Sequence, residues 1–198
     1  AASDVYKRQG IWGKEENFFT LKGLVDTVAE TLFIDFEYVE DKKTFLHPYR
    51  TAKILYNGEE IGYLGQLTYE IQKEEDMRES AYVAEIDLKA LRPVYGKVPT
   101  FTPISKFAKE TRDLALVMNK SVTCGEAEKA IAEASSFVES VELFDVYEGL
   151  QVGPEKKSMA FTVTFAPKEE EFTTEAVDGY VKKILKNLNN KLGVELRS

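Results

Sequence analysis

Arg112 and Asp113 stand side by side in FAKETRDLALVM (residues 107–118), directly before the apolar run Leu114–Met118. A guanidinium and a carboxylate at such a place have two readings. They solvate the end of a buried strand, or they are held out for a partner. Residue types alone leave both open.

Other reactive side chains offer less. The chain has one histidine, His47 in LHPYR, and one cysteine, Cys124. A zinc site built from soft ligands needs more than that pair, and an internal disulfide is excluded, as suits a reducing cytosol. His47 beside a turn proline reads as structural, because no second histidine exists to form a cluster. Cys124 falls near a helix start, where a thiol pKa can drop; a small core or cap residue is the plainer reading. The run Glu169–Glu171 precedes a helix, where acidic charge complements the dipole. Lys182, Lys183, Lys186 and Lys191 read as the wet face of that helix rather than a phosphate stripe. No glycine-rich phosphate loop and no nucleophile elbow occurs.

The elements that must position these groups follow from periodicity. The 198 residues are 43% hydrophobic and 30% charged, enough apolar mass for one large domain or two small ones. A formal charge of −8, spread over both halves, argues against non-specific nucleic-acid binding but not against a local contact. No apolar run approaches a membrane span. The first nine residues, AASDVYKRQ, have no period and are assigned no fold. Phe18, Leu21, Val25, Val28, Ala29 and Leu32 repeat at helical spacing. Residues 36–39 read as a strand, and Asn57-Gly58 between two apolar runs signals a hairpin. Residues 68–77 read as a short polar helix and AYVAEIDL as a strand. Pro99 and Pro103 mark a linker over 98–104.

The second half has a cleaner pattern. Leu114–Met118 is its first strand. Thr123 and Glu126 have capping-box spacing, with Val122 and Ala127 placed as a staple. The helix they open buries Ala127, Ala130, Ile131 and Ala134. VESVELFDVYEG and KSMAFTVTFA are the next strands. In the latter Met159, Phe161, Val163 and Phe165 point one way, and Ala160, Thr162 and Thr164 the other. A helix along Val177, Val181, Ile184, Leu188 and Leu192 ends at Gly193, and VELR is a last strand. The order β-α-β-β-α-β predicts a ferredoxin-like fold, with one sheet face away from both helices and open for docking.

PISKFAKETRDLALVM, SVELFDVYEG, KKSMAFTVTF and TTEAVDGYVKKILKNLNNKLGVELR resemble, in order and spacing, the C-terminal ferredoxin-like anticodon-binding domain of the bacterial phenylalanyl-tRNA synthetase beta subunit. FFTLKGLVDTVAE, LHPYRTAKILYNGEEIGYLGQL and YVAEIDLKAL resemble part of the synthetase-like, non-catalytic domain of the same subunit. Phe107-Ala108 stands where that family usually has Phe-Pro, Thr68-Tyr69 where it often has His-Pro, and Thr162 where it often has a basic residue. The leader 1–9 matches nothing in the resemblance. The expected fold is α+β: a partial class II synthetase-like α/β domain over 10–97, then a ferredoxin-like βαββαβ domain with an antiparallel four-stranded sheet over 105–198.

The resemblance implies a cytoplasmic tRNA-binding and assembly role beside an alpha subunit, in an (αβ)2 heterotetramer. That alpha subunit would join phenylalanine to its tRNA with ATP and Mg2+, and this chain would hold neither cofactor, no metal and no catalytic residue. Arg112 would offer a cation for phosphate or base, and Asp113 would orient it. The candidate tRNA contacts are Lys106, Phe107, Arg112, Asp113, Phe144, Thr162, Thr164 and Arg197. The rival reading is a ferredoxin-like regulatory module that binds a small molecule between helix and sheet. A phosphatase of the same topology is disfavoured, because MNKSVTC follows the first strand where a glycine-rich anion loop with arginine is needed.

Overall fold

The computed structural model describes residues 5–96, 106–168 and 170–197. The chain divides into two compact units, Ala1–Phe101 and Thr102–Ser198. The prolines expected to mark the linker, Pro99 and Pro103, lie outside the described residues, as does Glu169.

The first unit is a five-stranded antiparallel sheet with one long helix on a face. Its strands are β1 (Tyr6–Trp12), β2 (Glu37–Glu40), β3 (Leu46–Tyr56), β4 (Glu59–Leu67) and β5 (Ala81–Asp87), in the order β1-β5-β4-β3-β2. Helix α1 (Phe18–Leu32) starts at Asn17, whose side-chain oxygen accepts from the Phe19 and Thr20 amides at 2.8 and 3.1 Å. Those amides have no carbonyl partner within the helix, so the cap stabilises it by about 1 kcal/mol. Leu21, Val25 and Ala29 are its buried line. Leu21 and Val25 pack with Ile54, Leu64, Tyr82 and Ile86 of the sheet. Asn57 and Gly58 turn β3 into β4 with φ of 52° and 81°, as a two-residue hairpin requires. The polar helix α2 is Tyr69–Glu74, shorter than its sequence suggests; Asp76 leaves the helical region at φ 51°.

The leader is corrected by the structure. Tyr6–Gln9 belong to β1, paired antiparallel with β5 from Tyr6 opposite Asp87 to Trp12 opposite Ala81. This edge strand is mostly exposed and carries charge, so it shows no hydrophobic period. Backbone hydrogen bonds to β5 make it a strand.

The second unit runs β6 (Glu110–Asn119), α3 (Cys124–Ala134), β7 (Val138–Tyr147), β8 (Lys156–Phe165), α4 (Thr174–Leu192) and β9 (Glu195–Leu196). Its antiparallel sheet has the order β7-β8-β6-β9, the ferredoxin-like arrangement. Thr123 Oγ1 accepts from the Glu126 amide at 3.3 Å, and Glu126 Oε2 accepts from the Thr123 amide at 2.8 Å, closing a capping box. Thr173 caps α4, and Gly193 ends it at φ 63°. Leu114, Leu116 and Met118 of β6 join Met159, Phe161, Val163 and Phe165 of β8 beneath Ala127, Ile131, Val177, Ile184 and Leu188. Fully burying each of the larger side chains contributes roughly 1.5–3 kcal/mol. Ala134, expected in the core, is half-buried at its margin.

Candidate nucleic-acid interface

Alternation along each strand assigns the opposite face of this second sheet. On β8 it carries Ser158, Ala160, Thr162 and Thr164. Their β6 partners are Val117, Ala115, Asp113 and Thr111. Their β7 partners are Tyr147, Asp145, Glu142 and Ser140. A one-residue register shift between Leu143 and Asp145 decides the β7 set. Leu143 pairs with core-facing Phe161, the extra residue Phe144 pairs with nothing, and Asp145 pairs with Ala160. Without that bulge Asp145 and Tyr147 would fall on the helix side.

The structure separates Arg112 from Asp113. The strand begins at Glu110, so the pair lies within β6 rather than at its mouth. Adjacent strand residues point to opposite faces. Arg112 shares the helix-side register with Leu114, and its Nη1 donates to Glu110 Oε2 at 3.1 Å and to the Thr111 carbonyl at 2.8 Å. Asp113 lies on the open face, where Thr162 Oγ1 donates to its Oδ1 at 2.7 Å. Asp113 therefore does not orient Arg112. Thr162 instead holds Asp113, with Glu142 opposite Thr162 on its other side.

One end of the face is covered. Tyr147 is on edge strand β7, and Arg197 follows β9 at the other edge, its amide donating to the Ala115 carbonyl at 2.8 Å. β8 and β6 lie between them, so the two backbones are about 14 Å apart at the usual strand spacing. The Arg197 guanidinium carbon nevertheless sits 5.0 Å from the Tyr147 ring centroid. The two side chains therefore reach toward each other over the small residues of the middle strands. That strap accounts for the burial of Ser158 and Ala160, which are 3% and 9% exposed although they face away from the helices. Arg197 Nη2 also donates to Gln151 Oε1 at 2.9 Å.

Of the candidate contacts, Asp113, Thr162 and Thr164 come together on the open face, and Arg197 reaches over its covered end. Lys106 is exposed and Phe107 half-buried, both ahead of β6. Phe144 is 59% exposed at the bulge of the edge strand, outside the paired rows. The sequence reading missed Tyr147, Asp145 and Glu142, because simple alternation cannot cross the bulge. Among the described residues, by register the face holds Asp113, Glu142, Asp145 and Glu195 against two cations, Arg197 and, at the start of β8, Lys156. This composition suits hydrogen bonding to base edges and sugars better than phosphate binding.

The remaining candidates are structural in their contacts. His47 Nδ1 accepts from the Tyr49 amide at 3.2 Å within β3. Cys124 Sγ lies 3.5 Å from Glu128 Oε1 in the first turns of α3. Lys191 pairs with Glu133 at 2.6 Å. Among the described residues no group of three His, Cys, Asp or Glu is placed to hold a metal ion, and no helix is long and apolar enough to cross a membrane.

Comparison with known proteins agrees with this geometry. Residues 105–197 match the ferredoxin-fold anticodon binding domain, and residues 6–88 match the phenylalanyl tRNA synthetase beta chain CLM domain. The chain belongs to the phenylalanine–tRNA ligase beta-subunit family. Over its whole length it is 37% identical to the phenylalanine–tRNA ligase beta subunit of Bacillus subtilis, of which it covers 25%. It is 38% identical over 183 residues to that of Streptococcus pyogenes, and 35% over 187 residues to that of Listeria monocytogenes. These alignments take in 91% and 93% of this chain and 23% of each relative. The chain thus spans about a quarter of the length of the relatives it matches. The second match begins at Tyr6, where β1 begins, so this part of the presumed leader is family sequence. The comparisons do not favour the small-molecule regulatory module.

Proposed function

We propose that the unit over 105–198 contacts the anticodon region of a phenylalanine-specific tRNA, and that the chain helps to hold a cytoplasmic (αβ)2 phenylalanine–tRNA ligase together. The observation that carries the reading is the open sheet face within a domain that matches an anticodon-binding family. Bases in a loop are unstacked and present their edges, which a sheet face can read by stacking and short hydrogen bonds. Asp113, fixed through one oxygen by Thr162, has its second oxygen as an acceptor for a base amino or imino group. The Thr162 and Thr164 hydroxyls both donate and accept. Tyr147 is the aromatic side chain that the register places on this face. Lys106, Phe107 and Phe144 are peripheral contacts in this reading.

Aminoacylation, with its ATP and Mg2+, is assigned to the alpha subunit. The test is tRNA binding by the full assembly with and without residues 105–198. Removal is expected to weaken tRNA binding while phenylalanine-dependent ATP–pyrophosphate exchange persists. Equal affinity in both forms would overturn the anticodon reading.

A further inference from the structure

We propose that Gly149 and Arg197 are positioning residues for Tyr147, fixing its ring on the sheet face where an unstacked base would lie; this rests on the anticodon reading above. Tyr147 is the last residue of β7, at an edge of the sheet, where a long aromatic side chain is otherwise free to turn into solvent. Two contacts restrain it. A β-carbon placed on Gly149 would stand 2.4 Å from Tyr147 Oη, 2.6 Å from Cζ and 3.1 Å from Cε1. The phenol end thus lies against the bare α-carbon of Gly149. The Gly149 φ lies outside the left-handed region, so no backbone demand explains a glycine there. Its missing side chain is the space that the ring occupies.

Arg197 supplies the second restraint. Its guanidinium approaches the ring to 5.0 Å and is itself held by Gln151 at 2.9 Å. A planar, weakly hydrated guanidinium can lie against the ring and keep the Gln151 hydrogen bond at once, whereas a lysine ammonium is a compact point charge. Arg197 therefore acts on RNA mainly through Tyr147, and a contact to phosphate is secondary. The two roles predict opposite outcomes for Arg197→Lys, because a phosphate contact survives that change and the ring restraint does not.

The experiment uses the whole chain and a synthetic RNA hairpin copying the anticodon arm of a phenylalanine-specific tRNA, with a fluorescent purine in its loop. A fully paired RNA of equal length is the control. Tyr147→Ala is expected to lose about tenfold in affinity, within the range for one base–aromatic stack. Gly149→Ala and Arg197→Lys are each expected to lose most of that factor and the loop fluorescence change, with melting temperatures near that of the parent. Either change made in the Tyr147→Ala background should cost little more, since both act through the ring. The ring-current shift of the Gly149 α-protons, read by NMR without RNA, should diminish in Arg197→Lys. Parent-like binding by Arg197→Lys, or a full additional loss in the Tyr147→Ala background, would overturn the positioning role and leave the anticodon reading intact. Should Gly149→Ala unfold, the Arg197→Lys arm decides. A parent chain that does not prefer the hairpin over the paired control would overturn the anticodon reading itself, and this inference with it.

Discussion

Thr162 Oγ1 donates to Asp113 Oδ1 at 2.7 Å across the β6–β8 pair. The bond spans two strands on the open face, while neighbouring Arg112 pairs with Glu110 on the other. Arg112→Ala is therefore expected to leave hairpin affinity within about twofold. An exposed ion pair of this kind contributes about 0–1 kcal/mol, so its melting temperature should also move little. Isothermal calorimetry and thermal unfolding on one preparation test both statements. A large affinity loss at unchanged stability would return Arg112 to the RNA contact set.

The charge on the open face sets the salt dependence. Asp113, Glu142, Asp145 and Glu195 repel phosphate, Arg197 is engaged with Tyr147 and Gln151, and Lys156 is the other cation of the face, at the start of β8. Each phosphate contact to single-stranded RNA contributes about −0.7 to the slope of log K against log salt. With two or three contacts the slope would be about −1.4 to −2.1, and with Arg112 on the other face the shallow end is expected. Hairpin titrations across a series of KCl concentrations measure it. A slope steeper than about −3 would require a basic contact surface elsewhere on the chain.

Sequence reading reaches the parts of this chain that local chemistry dictates. Asn57-Gly58, the Thr123/Glu126 box and Gly193 each have a residue type that a turn or cap demands, and each forms as expected. The alternation in β8 is legible because one of its faces is buried. Tyr6–Gln9 are not legible as a strand, since an exposed charged edge has no period and its pairing partner lies some eighty residues away. The separation of Arg112 from Asp113 follows from period-two geometry once β6 is known to start at Glu110. That start depends on the pairing of Glu110 with Phe165. The face assignment of Tyr147 depends on a bulge, which only the cross-strand register reveals.

The α3 cap gives a pH signature. The Thr123 backbone amide, then its hydroxyl, hold the Glu126 carboxyl below its usual value of 4.5. A group whose folded pKa is depressed contributes stability that is present above its unfolded pKa and lost as pH falls through the folded one. The melting-temperature difference between the parent and Glu126→Ala should thus be constant near neutrality and shrink below about pH 4.5. Thr123→Ala, which removes the acceptor for the Glu126 amide, should cost about 1 kcal/mol at neutral pH. A difference that stays constant down to pH 2, with both proteins still folded, would mean the carboxylate does not act through the cap.

Gly62 separates the two units by experiment. It lies in β4 opposite Ile86 of β5. A β-carbon there would stand 2.1 Å from the Glu85 carbonyl oxygen and 3.0 Å from the Ile86 α-carbon. These are backbone atoms of the neighbouring strand and cannot rotate aside, so Gly62→Ala must push β4 and β5 apart or bend them. Overpacking of this kind typically costs about 1–3 kcal/mol. The core of the first unit, built on Leu21, Ile54, Leu64 and Ile86, shares no residue with that of the second, built on Leu116, Phe161, Phe165 and Ile184. Amide exchange in Gly62→Ala should therefore accelerate in β3, β4 and β5 and stay at the parent rate in β6 and β8, because local opening follows cooperative units. Equal acceleration in both sheets would show that the chain unfolds as one unit and that its two cores are energetically coupled.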